Sequence, residues 1–199
     1  MIVALVLAAG ESRRMGRPKA FLPVDGVPFI ERIVRTLEQT KVGSIHVVLG
    51  YNAAEMIRRI AYLPVEPVIN PDYTLGQLSS LQAGIRALEG RDVDGILVHL
   101  VDHPFIDKTL VDHLIDQFYL TRKLIVVPRC GDRRGHPVIF SKQLFPEFLA
   151  AAVERGAKPV VRAHIEESLE IETTQDGVLI DIDTPEEYRK HVRSDEWPS

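Results

Sequence analysis

Residues 2–7 read IVALVL, six aliphatic positions with no polar interruption, and the next three are small. A strand that is apolar on both faces must be covered on both, which places it at the centre of a parallel sheet between helical layers. The pattern recurs at residues 45–49 (IHVVL), 96–101 (ILVHLV) and 124–127 (LIVV), and more weakly at 65–69, where Pro67 interrupts it. Helical periodicities separate these runs. Phe29, Ile30, Ile33, Val34 and Leu37 share one face, with Pro28 suited to the first turn, and residues 53–61, 78–88 and 110–120 behave alike. Asn52 and Asp107 stand where N-caps are expected. The alternation predicts an α/β fold with a Rossmann-like, mostly parallel sheet flanked by helices.

Beyond Pro128 the rhythm changes. Residues 129–137 (RCGDRRGHP) form a charged loop, 138–140 a short strand and 144–153 a helix. Residues 170–173 and 178–182 read as strands on either side of a turn at Gln175, Asp176 and Gly177. Thr184, Pro185 and Glu187 then open a last helix with a capping box. Residues 1–193 are expected to form one domain, and 194–199 a frayed tail.

Composition narrows the function. A net charge of −4 offers no basic footprint for nucleic acid, although a phosphate site needs only a few local donors. The apolar N-terminal run is too short to span a membrane and lacks a basic segment before it. A lone Cys130 excludes an intrachain disulfide and fits a reducing compartment, hence an expected cytoplasmic location.

The most informative segment is Leu7 to Lys19, LAAGESRRMGRPK. It leaves the C-terminal end of the first buried strand, where open α/β sheets bind ligands. Ala8, Ala9 and Gly10 keep side chains clear, so backbone N–H groups can approach phosphate oxygens. Arg14 and Lys19 add positive charge, one as a two-pronged donor and one as a point charge. Neither the dinucleotide fingerprint nor the Walker P-loop fits: G-x-G-x-x-G is absent, and no Lys follows Gly16. A basic surface loop is the alternative to a phosphate cradle.

Other positions carry two readings each. Asp102, at the end of a buried strand, suits either Mg²⁺ or a turn. Asp181 and Asp183 alternate on the expected strand 178–182 and its exit, facing a cation or solvent. Gly76, Gln77, Ser79 and Ser80 precede a helix and suit either a base and ribose or a cap. His136 suits an acceptor contact or a structural role, and His103 lies within reach of the metal region. Arg58 and Arg59 read as a solvated helix face, and Cys130 has no assigned role.

L-A-A-G-x-S-x-R-M-G-x-x-K on Leu7 to Lys19 resembles the signature loop of the nucleotidyltransferases with a glycosyltransferase-A-like fold, most of all the MocA-like molybdenum cofactor cytidylyltransferases. The resemblance continues through Phe21-Leu22-Pro23, the segment 75–81 (LGQLSSL), Val101-Asp102-His103-Pro104, the segment 134–138 (RGHPV) and the segment 181–186 (DIDTPE). It implies Mg²⁺ on Asp102 and Asp183. It places Leu7, Ala8, Ala9, Gly10, Gly16 and the segment Gly76 to Ser80 around the nucleotide, and Arg14 and Lys19 on the phosphates. It puts His136 on the acceptor side, with His103 a second candidate substrate contact. The implied reaction moves CMP from CTP to a phosphorylated acceptor, the molybdenum cofactor, releasing pyrophosphate, with transient contact to a molybdoenzyme or its chaperone. Guanylyltransferases of that cofactor typically carry Gly where this chain has Ala9, and a methyl there favours a single-ring base. A sugar-phosphate nucleotidyltransferase, a molybdopterin guanylyltransferase and a nucleotide-binding regulatory module are the alternatives.

Overall fold

The computed structural model describes residues 1–192; the expected tail 194–199 lies outside them. In chain order the elements are β1 (Ile2–Leu7), a hairpin of β2 (Pro23–Val24) and β3 (Val27–Pro28), α1 (Phe29–Glu38), β4 (Ser44–Leu49), α2 (Ala53–Ile60), β5 (Glu66–Ile69), α3 (Gln77–Arg86), β6 (Gly95–Leu100), α4 (Lys108–Thr121) and β7 (Ile125–Cys130). Then follow β8 (Arg133–Arg134), β9 (Val138–Ser141), α5 (Phe145–Ala150), α6 (Lys158–Ala163), β10 (Ser168–Glu172) and α7 (Pro185–His191).

The main sheet has the order β5-β4-β1-β6-β9-β7-β10, with β8 paired to β7. β1 lies between β4 and β6, parallel to both, and β10 is parallel to β7. β9 enters antiparallel between β6 and β7. The six buried positions of β1 are divided between two layers. Ile2, Ala4 and Val6 join the cluster formed with α1, α2 and α4, whereas Val3, Leu5 and Leu7 join the one formed with α3, α5 and α6. That division is the physical content of the uninterrupted aliphatic run. Gly84 brings α3 close to the sheet, since a Cβ there would lie 2.7 Å from Leu5 Cδ1. Pro67 is accommodated because β5 is an edge strand.

The chain passes outward from β1 to β4 and β5, then returns to β6 on the other side of β1. The crevice beyond the C-terminal ends of β1 and β6 is therefore a topological switch point, where such sheets bind ligands.

Three expectations need correction. Residues 178–182 are not a strand: Asp176–Leu179 is a 3₁₀ turn. The backbone groups there are taken elsewhere, since Val178 O accepts from His136 N at 2.9 Å and Ile182 N donates to Asp102 O at 2.9 Å. Asp181 and Asp183 are thus not alternate positions of a strand. The helix expected over 144–153 stops at Ala150, because Gln82 Nε2 donates to the carbonyls of Phe148 and Ala151 at 2.9 and 3.0 Å. Asn52 occupies the N-cap of α2 without a side-chain cap bond, whereas Asp107 accepts from Leu110 N as a cap should.

Candidate active site

The loop after β1 is built into the fold. Ala8 N donates to Val48 O at 2.9 Å, Val101 N donates to Leu7 O at 3.1 Å, and Ala9 O accepts from Tyr51 N at 3.0 Å. These bonds hold three strand ends together at the switch point. Ser12 adopts a left-handed conformation, and its hydroxyl accepts from Lys19 N at 3.1 Å, closing the loop on itself. A 3₁₀ turn over Arg13–Met15 ends at Gly16, whose φ of 67° suits a residue without Cβ. Met15 is buried with Leu22, Val24, Phe29, Ile182 and Tyr188. Tyr188 stacks on Phe29 with ring centroids 6.2 Å apart and donates its hydroxyl to Pro23 O at 2.5 Å. A small apolar cluster thus clamps both ends of the loop against α7.

This clamp brings Asp183 to the loop. Lys19, with its side chain only 11% exposed, sits between Asp102 Oδ2 at 3.2 Å and Asp183 Oδ1. Arg14 pairs with the other oxygen of Asp183. Burial alone would raise the Asp183 pKa, but its bonds to Lys19, together with the charge of Arg14, hold it below the usual carboxylate range. The capping box of α7 fixes the same residue, since Glu187 Oε2 accepts from the backbone N–H of Asp183 at 2.7 Å and of Thr184 at 2.9 Å.

The two carboxylates fit a divalent cation. They already share one positive charge, and Asp102 Oδ1 is buried without a hydrogen-bond partner. No group of three or more His, Cys, Asp or Glu among the described residues forms a metal site by itself. Further ligands would come from phosphate oxygens and water, the usual arrangement for Mg²⁺.

Around this centre lies a cavity of about 340 Å³, within the range of small-molecule sites. Leu7, Ala8, Ala9 and Gly10 form one wall and Gly76, Gln77 and Ser80 another, with Arg14, Lys19, Asp102 and Asp183 on its margin. The N-terminus of α3 has no side-chain cap, which leaves backbone N–H groups for a ligand. Gly16 shapes the loop but does not line the cavity, and neither does Ser79. The Ser79 hydroxyl is buried and used internally, its one proton directed to Gly76 O at 2.7 Å or Asp72 O at 2.9 Å while the oxygen accepts from Asn70 Nδ2.

Sequence reasoning missed Tyr51, Asn52, Glu55 and Tyr73, which also line the cavity. The Tyr51 and Tyr73 rings meet edge to face at 6.4 Å. Gly50 permits this, because a Cβ there would lie 2.4 Å from Tyr73 and 2.8 Å from Ala9 O. The signal was a glycine at the exact end of β4, followed by an aromatic residue. Arg59, read as solvated, instead rests over the Phe21 ring at 3.3 Å from its centroid.

Three histidines lie together near the carboxylates, His99 and His103 buried and His136 half-buried. His99 Nε2 pairs with His103 O at 2.8 Å, and the His103 and His136 rings lie 5.0 Å apart. Burial, reinforced by the neighbouring His103, pushes His99 down to about 3 and His136 down to about 4. Burial also lowers His103, against the opposing pull of Asp102, Asp181 and Asp183. His103 lines neither cavity. His136 lines a second cavity of about 490 Å³, which shares Leu7 and Gln77 with the first.

A switch-point cavity with a small-residue loop, a buried lysine and two converging carboxylates defines a nucleotidyltransferase of the Rossmann-like α/β class. The chain belongs to the MobA-like NTP transferase domain family, which matches residues 4–168. It is 29% identical over 195 residues to the purine catabolism protein PucB of Bacillus subtilis, covering 94% of each chain. It is 31% identical over 196 residues to the nicotine blue oxidoreductase of Paenarthrobacter nicotinovorans, covering 94% of this chain and 95% of that one. It is 25% identical over 188 residues to the molybdenum cofactor cytidylyltransferase of Escherichia coli, covering 94% and 93%. Among solved structures, Rv0371c of Mycobacterium tuberculosis superposes with a TM-score of 0.80 at 27% identity, covering 97% and 98%. A manganese complex of Rv0371c gives 0.74 at 25% identity, with the same coverage. No helix among the described residues is long and apolar enough to cross a membrane.

Proposed function

We propose that the protein transfers CMP from CTP to the phosphate of a small acceptor, the molybdenum cofactor in its molybdopterin form, and releases pyrophosphate in the cytoplasm. One observation carries the nucleotidyl reading: Lys19 bridges Asp102 and Asp183 at the mouth of the loop Ala8 to Gly10. In this reading the NTP lies along that loop. Arg14 and Lys19 turn from Asp183 toward the β- and γ-phosphates, releasing both carboxylates. Asp102 and Asp183 would hold Mg²⁺, which would neutralise charge on the phosphates. An acceptor phosphate oxygen forms a bond to the α-phosphorus as the bond to the β-phosphate oxygen breaks, and the electron pair leaves on pyrophosphate. The attacking oxygen is already ionised, so no strong base is needed, and positioning with electrostatics does most of the work. The manganese complex of Rv0371c supports the use of a divalent ion.

The choice of CTP rests on Ala9, whose methyl favours a single-ring base, and on the polar Gln77 and Ser80, all three lining the cavity. A site built to hydrogen-bond one base edge disfavours a base that leaves those groups unpaired. The relation to the E. coli cytidylyltransferase supports the same choice and the acceptor. The test is pyrophosphate release from CTP and GTP with Mg²⁺ and molybdopterin. CTP should have a kcat/KM larger by about tenfold or more. Equal values would end the cytidylyl assignment, and no release from any NTP would end the nucleotidyltransferase one.

A further inference from the structure

Asn70 is a polar residue buried to 2% exposure, and it lines neither cavity. It follows β5 directly, and its N–H donates to Leu49 O at 2.7 Å, which fixes its backbone to the end of β4. Its side chain ties together the two ends of the connection from β5 to α3. Oδ1 accepts from Asp72 N at 3.0 Å, while Nδ2 donates to Ser79 Oγ at 2.9 Å and to Ser80 Oγ at 3.0 Å. The backbone N–H of Asp72 can only donate, so it dictates which end of the amide is oxygen. Both protons of Nδ2 are then committed to hydroxyl oxygens. The two serines differ in what remains. The Ser79 proton has carbonyl acceptors at Gly76 and Asp72. The Ser80 proton has no acceptor among the described residues, although the side chain is buried and lines the first cavity. A buried donor left unpaired is costly, so a ligand that brings an acceptor to it is favoured.

We propose that Asn70 is a positioning residue for the nucleotide. From outside the cavity it holds Ser80 as a hydrogen-bond donor, and so selects for a base that turns a carbonyl oxygen or ring nitrogen toward that hydroxyl. This deepens the nucleotide reading of the first cavity and rests on it, but it concerns a residue that does not touch the ligand. Cytosine offers O2 and N3 as such acceptors. Asn70→Asp keeps the shape of the side chain and the bond from Asp72 N. A carboxylate has no proton to give, however, so Ser80 must turn its own proton to it and face the base with lone pairs. With three donors around it, that carboxylate stays ionised.

The whole protein is titrated by calorimetry with CTP and Mg²⁺, and with inorganic tripolyphosphate and Mg²⁺ as a probe without a base. Asn70→Asp should weaken CTP binding by about tenfold and leave tripolyphosphate binding unchanged, because only the base loses its contact. Ser80→Ala should show the same split. In the double variant the two losses should not add, since both remove one interaction. Equal weakening of both ligands, full additivity, or unchanged CTP binding in either single variant would overturn the proposal. Thermal unfolding of each variant checks the fold. Should Asn70→Asp fail to fold, Ser80→Ala carries the test, and a CTP affinity equal to that of the parent would end the proposal. The readout is binding alone. Failure of pyrophosphate release would count against the transfer reading and leave this result standing, whereas a parent that binds neither ligand would end both.

Discussion

Lys19 is the residue on which the site turns. Its ammonium is nearly buried and compensates two carboxylates at once. Replacing it by Ala leaves Asp102 and Asp183 facing each other without their shared cation, and also removes a charge from the proposed phosphate path. Lys19→Ala should lower kcat on the order of 10²-fold while changing the KM for CTP much less, the mark of an interaction made mainly in the transition state. Steady-state kinetics with CTP would decide it, and a variant within a few-fold of the parent would remove Lys19 from the chemistry. Residues of this kind were legible because charge and spacing announce them. Ser79 was not, because its hydroxyl could be free or spent, and only the position of Asn70 and Asp72 decides which. Tyr51 and Tyr73 were missed for a similar reason: an aromatic residue at a strand end carries no chemical signature until a cavity forms beside it.

At the scale of elements, α7 has two duties that can be separated. Thr184 and Glu187 close a capping box, and either substituted by Ala should cost about 1 kcal/mol of stability, as lost caps generally do. Glu187 also holds the backbone of Asp183, whereas the Thr184 hydroxyl bonds only to Glu187 N. Glu187→Ala should therefore raise the Mg²⁺ concentration for half-maximal activity more than Thr184→Ala does. Urea denaturation beside a magnesium titration tests this, and identical magnesium curves would show that the box stabilises the helix alone. The capping box was readable because its parts lie within four residues. The segment 178–182 was not, because its partners are Asp102 and His136, far away in sequence. Its apolar residues read as a strand, yet no neighbouring strand accepts it. The same holds for the helix that stops at Ala150, ended by Gln82 from another element.

Across the whole molecule, His99 and His136 link folding to pH. His99 faces His103 and His136, and His136 faces His103 and Asp181. Both stay neutral in the fold down to about 3 and about 4, whereas an unfolded histidine titrates near its ordinary 6.5. Below that value the unfolded chain takes up protons that the fold refuses. Stability is thus full above pH 6.5 and is lost as pH falls toward those lower values, by up to about 1.4 kcal/mol per pH unit for each histidine. His99→Gln should flatten the decline between pH 6 and 5 by about one such increment, measured by urea unfolding at each pH. Equal slopes in the two proteins would show that His99 does not carry the effect. The parallel character of the sheet could be read from its aliphatic runs, but the antiparallel entry of β9 could not, since three apolar residues look the same in either direction.

The clamp of Tyr188 on Pro23 also has a temporal meaning. The loop after β1 is synthesised well before α7, the helix that ties it down, and Asp183 arrives just ahead of that helix. The ladders of β1 with β4 and β6 lie within residues 2–100, so the sheet has its central partners long before the proposed nucleotide site has its second acid. A nascent chain can therefore hold a formed central scaffold while its proposed nucleotide site is still incomplete, until residues 183–188 have followed.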